Sequence, residues 1–286
     1  MDAYRLSRTE SHSLRGGAAP LLLHVALPEG HDMPPEGWPL VMLCDATDSF
    51  ATLVETVRRC ASRPSATGIA PAVVAGIAYD REAMDAKAIR LARIRDYTFG
   101  PAEAEDVEAT GAAETGNGGQ MLALITEAIS GLIRDYSINR KTISLFGHSL
   151  VGKFVLDVLV RHPALFSTYV AISPSIWWNR PELEQRIEGL SPQLAGLAPR
   201  RVMVAVGEWE QGLAPWQQQS ALAADMAHRR ERRRMIDNAR EVGALLGQRM
   251  RPEDRILVQV FPDEDHASVI GIAYNRGLRL ANAARF

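Results

Sequence analysis

A serine hydroxyl becomes a useful nucleophile when a turn lifts it clear of the backbone and a base takes its proton. Thr142 to Arg161 offers such a turn. An apolar run ends at Phe146, Gly147-His148-Ser149 follows, and an amphipathic stretch begins at once. A serine between strand and helix suits a nucleophile elbow, with the helix N-terminus aiming N–H groups at developing negative charge. The usual pattern is Gly-x-Ser-x-Gly, and here Val151 stands at the last position with Gly152 one place late. The plain alternative is that Ser149 only caps a helix.

The base should lie beyond the last strand, because open α/β sheets bind ligands at the strands' carboxyl ends. His266 fits, following Phe261 within a polar turn. His12, His24, His31, His148, His162 and His228 read as structural or surface residues; His148 adjoins Ser149 but projects differently, and is also a candidate for substrate binding. The acid falls between Ser and His in chain order in this type of centre. Gly207-Glu208-Trp209-Glu210 follows an apolar run at the right place, with Glu210 preferred and Glu208 in reserve. Two N–H donors must hold the oxyanion. They are expected from Leu150 and from Thr47, in the Asp45–Asp48 loop.

Seven apolar runs supply the strands that would carry these residues: Leu21 to Leu27, Pro39 to Cys44, Ala72 to Ile77, Thr142 to Phe146, Thr168 to Ile172, Val202 to Val206 and Ile256 to Phe261. Several are apolar on both faces, as in a mostly parallel sheet covered by helices. Helical patterns between them, Gln120 to Tyr136 and Gly152 to Arg161 among them, give an α/β fold. Gly100 to Gly119 lacks an apolar period and reads as a mobile surface loop. Residues 1–286 read as one domain, with 214–250 an Arg-rich helical insertion or cap-like segment.

Composition narrows the function. The chain has 286 residues, 47% hydrophobic and 23% charged, which excludes a mainly disordered protein. A net charge of −2 argues against a nucleic-acid binder. Two cysteines are too few for a disulfide framework. No signal-like or membrane-spanning run is evident, so a cytoplasmic protein without membrane partners is expected. No phosphate loop or zinc spacing appears, so neither cofactor nor metal is expected.

Several segments resemble the esterase D branch of the α/β-hydrolases, close to the siderophore trilactone esterases. They are Leu145-Phe-Gly-His-Ser-Leu150, Ala171-Ile-Ser-Pro-Ser-Ile-Trp-Trp-Asn179, Arg93-Ile-Arg-Asp-Tyr-Thr98, Gly207-Glu-Trp-Glu210 and Asp265-His-Ala-Ser268. The likeness runs from about Pro39 to Leu280, and the Ser-Pro-Ser-Ile-Trp-Trp string is its most specific part. The resemblance implies an α/β-hydrolase fold and a metal-free esterase, its leading substrate a siderophore ester or lactone and otherwise another small carboxylic ester, with the nucleophile at Ser149 and the base at His266. Glu210 carries the acid role less securely, since siderophore relatives can work with a Ser–His pair. Arg93 would bind an anionic part of the substrate, or else pair with Asp96. Trp177 and Trp178 would adjoin the pocket, facing substrate or packing in the core. The Arg229 to Arg234 cluster is a solvated helix face or an attractor of anions. Three positions depart from the pattern: Val151 and Ala46 where Gly is usual, and Phe99 where Pro is usual. They leave two alternatives to an active ester hydrolase: a weakly active or ligand-binding relative, and a thioesterase.

Overall fold

The computed structural model describes residues 5–101 and 104–282. In chain order it contains β1 (Thr9–Leu14), β2 (Leu21–Ala26), β3 (Trp38–Cys44), α1 (Phe50–Ala61), α2 (Pro64–Thr67), β4 (Val73–Tyr79), α3 (Ala86–Asp96), α4 (Ala104–Thr110) and α5 (Gly118–Tyr136). It continues through β5 (Ile138–His148), α6 (Leu150–Arg161), β6 (Thr168–Ile172), α7 (Arg180–Glu188), β7 (Arg201–Gly207), α8 (Ala223–Arg233), α9 (Met235–Arg249), β8 (Arg255–Phe261) and α10 (Val269–Asn282). The strands form one sheet in the order β1-β2-β4-β3-β5-β6-β7-β8. β1, β2 and β4 pair antiparallel, and β4 through β8 pair parallel with their neighbours. The architecture is the mostly parallel α/β sheet that the apolar runs imply.

Period-two alternation divides the central strands between two cores. Leu40, Met42, Cys44 and Leu145 enter the core under α5, α6 and α9, whereas Val41, Leu43 and Phe146 enter the core under α1 and α10. α6 is buried from Leu150 to Val160. Its two interior charges, Lys153 and Asp157, lie one turn apart, with Nζ 2.6 and 2.7 Å from the two carboxylate oxygens. Neither is left as an unpaired charge in the interior. This rigid helix starts at Ser149 and fixes the elbow.

The expected loop at Gly100–Gly119 is corrected in part. Residues 104–110 form α4, and Gly118 already belongs to α5; residues 102 and 103 lie outside the described set, as do 1–4 and 283–286 of the expected domain. The 214–250 segment also divides. α9 buries Ala239, Val242 and Leu246 in the core it shares with β7, within the connection from β7 to β8. α8 buries no residue and is the peripheral part. Among the described residues no helix is long and apolar enough to cross a membrane.

Candidate active site

Ser149, Glu210 and His266 follow the carboxyl ends of β5, β7 and β8, in the parallel part of the sheet. Ser149 follows β5 with φ 62° and ψ −124°, a conformation costly for a residue with a Cβ and common where a fold stores strain at a functional site. Backbone bonds to the next strand and its turn hold it there. Ser149 N–H donates to Ile172 O at 2.8 Å, and Ser149 O accepts from Ser175 N–H at 3.0 Å. The close approach needed at this turn is met by glycines on either side. A Cβ on Gly147 would lie 2.5 Å from Val151 O, and one on Gly152 would lie 2.7 Å from Ile172 O. Val151 points into the core with no exposed surface. The glycine displaced by one residue therefore meets the close approach to β6 that a Cβ would block, while the Val151 side chain packs away from it.

Ser149 Oγ lies 3.0 Å from His266 Nε2, and His266 Nδ1 lies 2.7 Å from Glu210 Oε2. A carboxylate only accepts, so Nδ1 carries the ring proton and Nε2 is left as the acceptor facing Ser149. Glu210 is 2% exposed, and its other oxygen receives Gly207 N–H at 2.7 Å and the Ser173 hydroxyl at 2.6 Å. The reserve acid is elsewhere. Glu208 is exposed, and its carboxylate accepts from Asp263 N–H at 2.8 Å. Asp265 accepts from Ala267 and Ser268 N–H at 2.8 and 2.9 Å, which folds the turn carrying His266.

His148 has a structural contact that the sequence did not specify. Its Nε2–H donates to the His266 backbone carbonyl at 2.7 Å, and the two rings stand 4.6 Å apart. Burial, aided by the neighbouring His266, pushes its pKa down to about 3. His148 therefore stays neutral under ordinary conditions and braces the loop that carries His266.

The expected oxyanion donors are available. Among the described residues, Thr47 N–H and Leu150 N–H donate to no protein acceptor. Leu150 opens α6, where unpaired N–H groups and the helix dipole favour negative charge. The Thr47 loop is tied at several points. Its hydroxyl bonds Asp45 Oδ1 at 3.1 Å and accepts from Tyr79 N–H at 3.0 Å, while Ala46 N–H reaches Ile77 O at 2.7 Å. Ala46 is accommodated by Gly76 on β4, where a Cβ would lie 2.5 Å from the Ala46 methyl. The extra methyl of Ala46 thus has a matching space, and the loop keeps its path.

A cavity of about 810 Å³ opens beside this centre, lined by Asp45, Thr47, Arg81, Met84, Ile89, Arg93 and His148 among others. Arg93 is on its wall, but its ion-pair partner is Asp45 and not Asp96. Asp96 is held instead by Arg95. The two tryptophans also separate. Trp178 is 2% exposed, packs with Leu150 and Ile94, and donates its indole N–H to Gly100 O at 3.1 Å. Trp177 is half-buried with the Arg233 guanidinium 4.1 Å from its ring centre. Neither lines the large cavity. Phe99, the third departure, stacks on Phe154 at 5.5 Å and carries the Arg161 guanidinium at 4.3 Å on its ring.

Residues 19–244 match the family described as "Putative esterase". Over 253 residues the chain is 35% identical to the ferri-bacillibactin esterase BesA of Bacillus subtilis, spanning 87% of this chain and 80% of that protein. Over 259 residues it is 33% identical to the siderophore enterobactin esterase of Emericella nidulans, spanning 83% of this chain and 80% of that one. The BES protein from Bacillus cereus shares the fold, with a TM-score of 0.81 over 98% of this chain and 97% of that chain at 24% identity.

Proposed function

This chain belongs to the esterase family, and from that membership we propose that Ser149, His266 and Glu210 carry out its ester hydrolysis through an acyl-enzyme. The observation that carries the assignment is the continuous contact from Ser149 Oγ through His266 to Glu210, at 3.0 and 2.7 Å. His266 Nε2 takes the hydroxyl proton as Oγ bonds to the ester carbonyl carbon. Glu210 holds the Nδ1 proton and stabilises the imidazolium so formed. Leu150 and Thr47 N–H groups receive the oxyanion, where preorganised donors commonly supply the largest single share of catalysis. Collapse expels the alcohol, which takes its proton from Nε2. Water then enters, gives a proton to His266 and releases the acid, restoring Ser149.

The proposed substrate is a siderophore ester or lactone. Its support is the activity that two relatives are named for, one a ferri-bacillibactin esterase and one a siderophore enterobactin esterase. Arg93 and His148 would meet the acyl group from the large cavity, with the Arg93 charge already balanced by Asp45. Trp177 would border the site on the α8 side. The two unpaired cysteines suit a reducing compartment, so the cytoplasm is the proposed place of action. Enterobactin, iron-free and ferric, should be opened with kcat/KM at least about ten-fold above that for p-nitrophenyl butyrate, read by chromatography of the products. Rapid turnover of the simple ester with no opening of either lactone would remove the siderophore assignment and leave the esterase.

A further inference from the structure

The Ser-Pro-Ser-Ile-Trp-Trp string is the most specific feature of the sequence, yet the reaction as described uses none of its side chains. Its position in the fold supplies a use. Ser173 follows β6, between the strand that carries Ser149 and the strand that leads to Glu210. It is fully buried and adopts φ 45°, a left-handed conformation that a serine holds only when its surroundings demand it. Its N–H is fixed to Ala205 O at 2.6 Å, and its hydroxyl donates to Glu210 Oε1 at 2.6 Å.

We propose that Ser173 is a positioning residue of the catalytic relay, holding the Glu210 carboxylate so that only Oε2 faces His266; this rests on Glu210 being the acid. Gly207 N–H and the Ser173 hydroxyl both saturate Oε1, so rotation of the carboxylate would break two bonds in a site without water-facing surface. The same short turn ties the other catalytic parts. Ser175 N–H holds the Ser149 carbonyl at 3.0 Å, and Trp178 packs against Leu150. One segment thus sets nucleophile, acid and oxyanion donor relative to each other.

The test is a mutant cycle with p-nitrophenyl butyrate. Ser173→Ala should lower kcat by about 10- to 100-fold with KM within about two-fold, as for loss of a bond to a charged group. Ser173→Gly removes the same hydroxyl while suiting the positive φ, and should lose kcat to the same degree. In the Glu210→Gln background, Ser173→Ala should lower kcat no further, since the hydroxyl then holds an amide that turns its NH₂ to His266, and loosening that amide removes nothing the variant uses. Full kcat in either single variant overturns the proposal, and so does an undiminished further loss in the Glu210→Gln background. Wild-type kcat in Glu210→Gln alone would instead overturn the premise that Glu210 is the acid.

Discussion

His266→Ala is expected to lower kcat by roughly 10⁴- to 10⁶-fold, the scale seen when the base of a serine hydrolase centre is removed. KM for a small ester should change little, because the ring contributes to the transition state far more than to ground-state binding. The argument is geometric. Nε2 lies 3.0 Å from Ser149 Oγ, and its partner nitrogen is committed to Glu210. His148 cannot substitute despite its nearness. Its Nε2–H is used on the His266 backbone, and its half-buried ring is kept neutral by desolvation, which pushes its pKa down to about 3. A base that weak takes a proton from a serine poorly. Steady-state kinetics on p-nitrophenyl butyrate, with circular dichroism confirming a folded variant, measures the effect. A kcat within about ten-fold of wild type would exclude His266 as the base.

Glu210→Gln is expected to lower kcat by about 10²- to 10⁴-fold, while Glu208→Gln leaves it nearly unchanged. Gly207 and Ser173 would hold the amide oxygen of the new side chain as they hold Oε1 now. The amide NH₂ would then face His266, which must present Nδ1 as an acceptor and so carry its proton on Nε2. That tautomer cannot receive the Ser149 proton, so the loss comes from the proton's location and not from misfolding. Glu208 has no such contact, since its carboxylate holds Asp263 N–H at the surface. Comparable kcat in the two variants would reject the distinction between them, and wild-type kcat in Glu210→Gln would favour a Ser–His pair.

The parts legible in the sequence are those set by local pattern. Leu145, Phe146 and Gly147 before Ser149 announce strand and turn, and Val151 to Leu159 announce a buried helix, so the elbow could be read directly. Glu208 and Glu210 could not be separated with the same force. They share a three-residue 3-10 turn, where a rotation of one residue decides whether a carboxylate points to solvent or inward. β1 escaped notice because an edge strand of Thr-Glu-Ser-His-Ser-Leu, mostly exposed, carries no apolar signal. α4 was hidden for a similar reason, in a stretch of small and polar residues.

Compensation between distant residues was also invisible. Ala46 and Val151 look like defects when set beside a motif. The space that admits the Ala46 methyl is made by Gly76, thirty positions away on another strand, and the approach lost at Val151 is recovered at Gly152. Ser173 shows the same limit from the other side. Its string was conspicuous, but the meaning of its hydroxyl depends on a carboxylate that only the sheet order brings within 2.6 Å.

The central claim is that Ser149 is the nucleophile. Treating the wild type with a fluorophosphonate should attach one phosphonyl group to Ser149, found by peptide mass analysis, with activity lost in proportion to labelling. Ser149→Ala, folded by circular dichroism, should take up no label and hydrolyse p-nitrophenyl butyrate no faster than buffer plus residual oxyanion-hole catalysis allows, roughly 10³- to 10⁴-fold over water. Label on another residue with loss of activity, or wild-type turnover in the variant, would contradict the account.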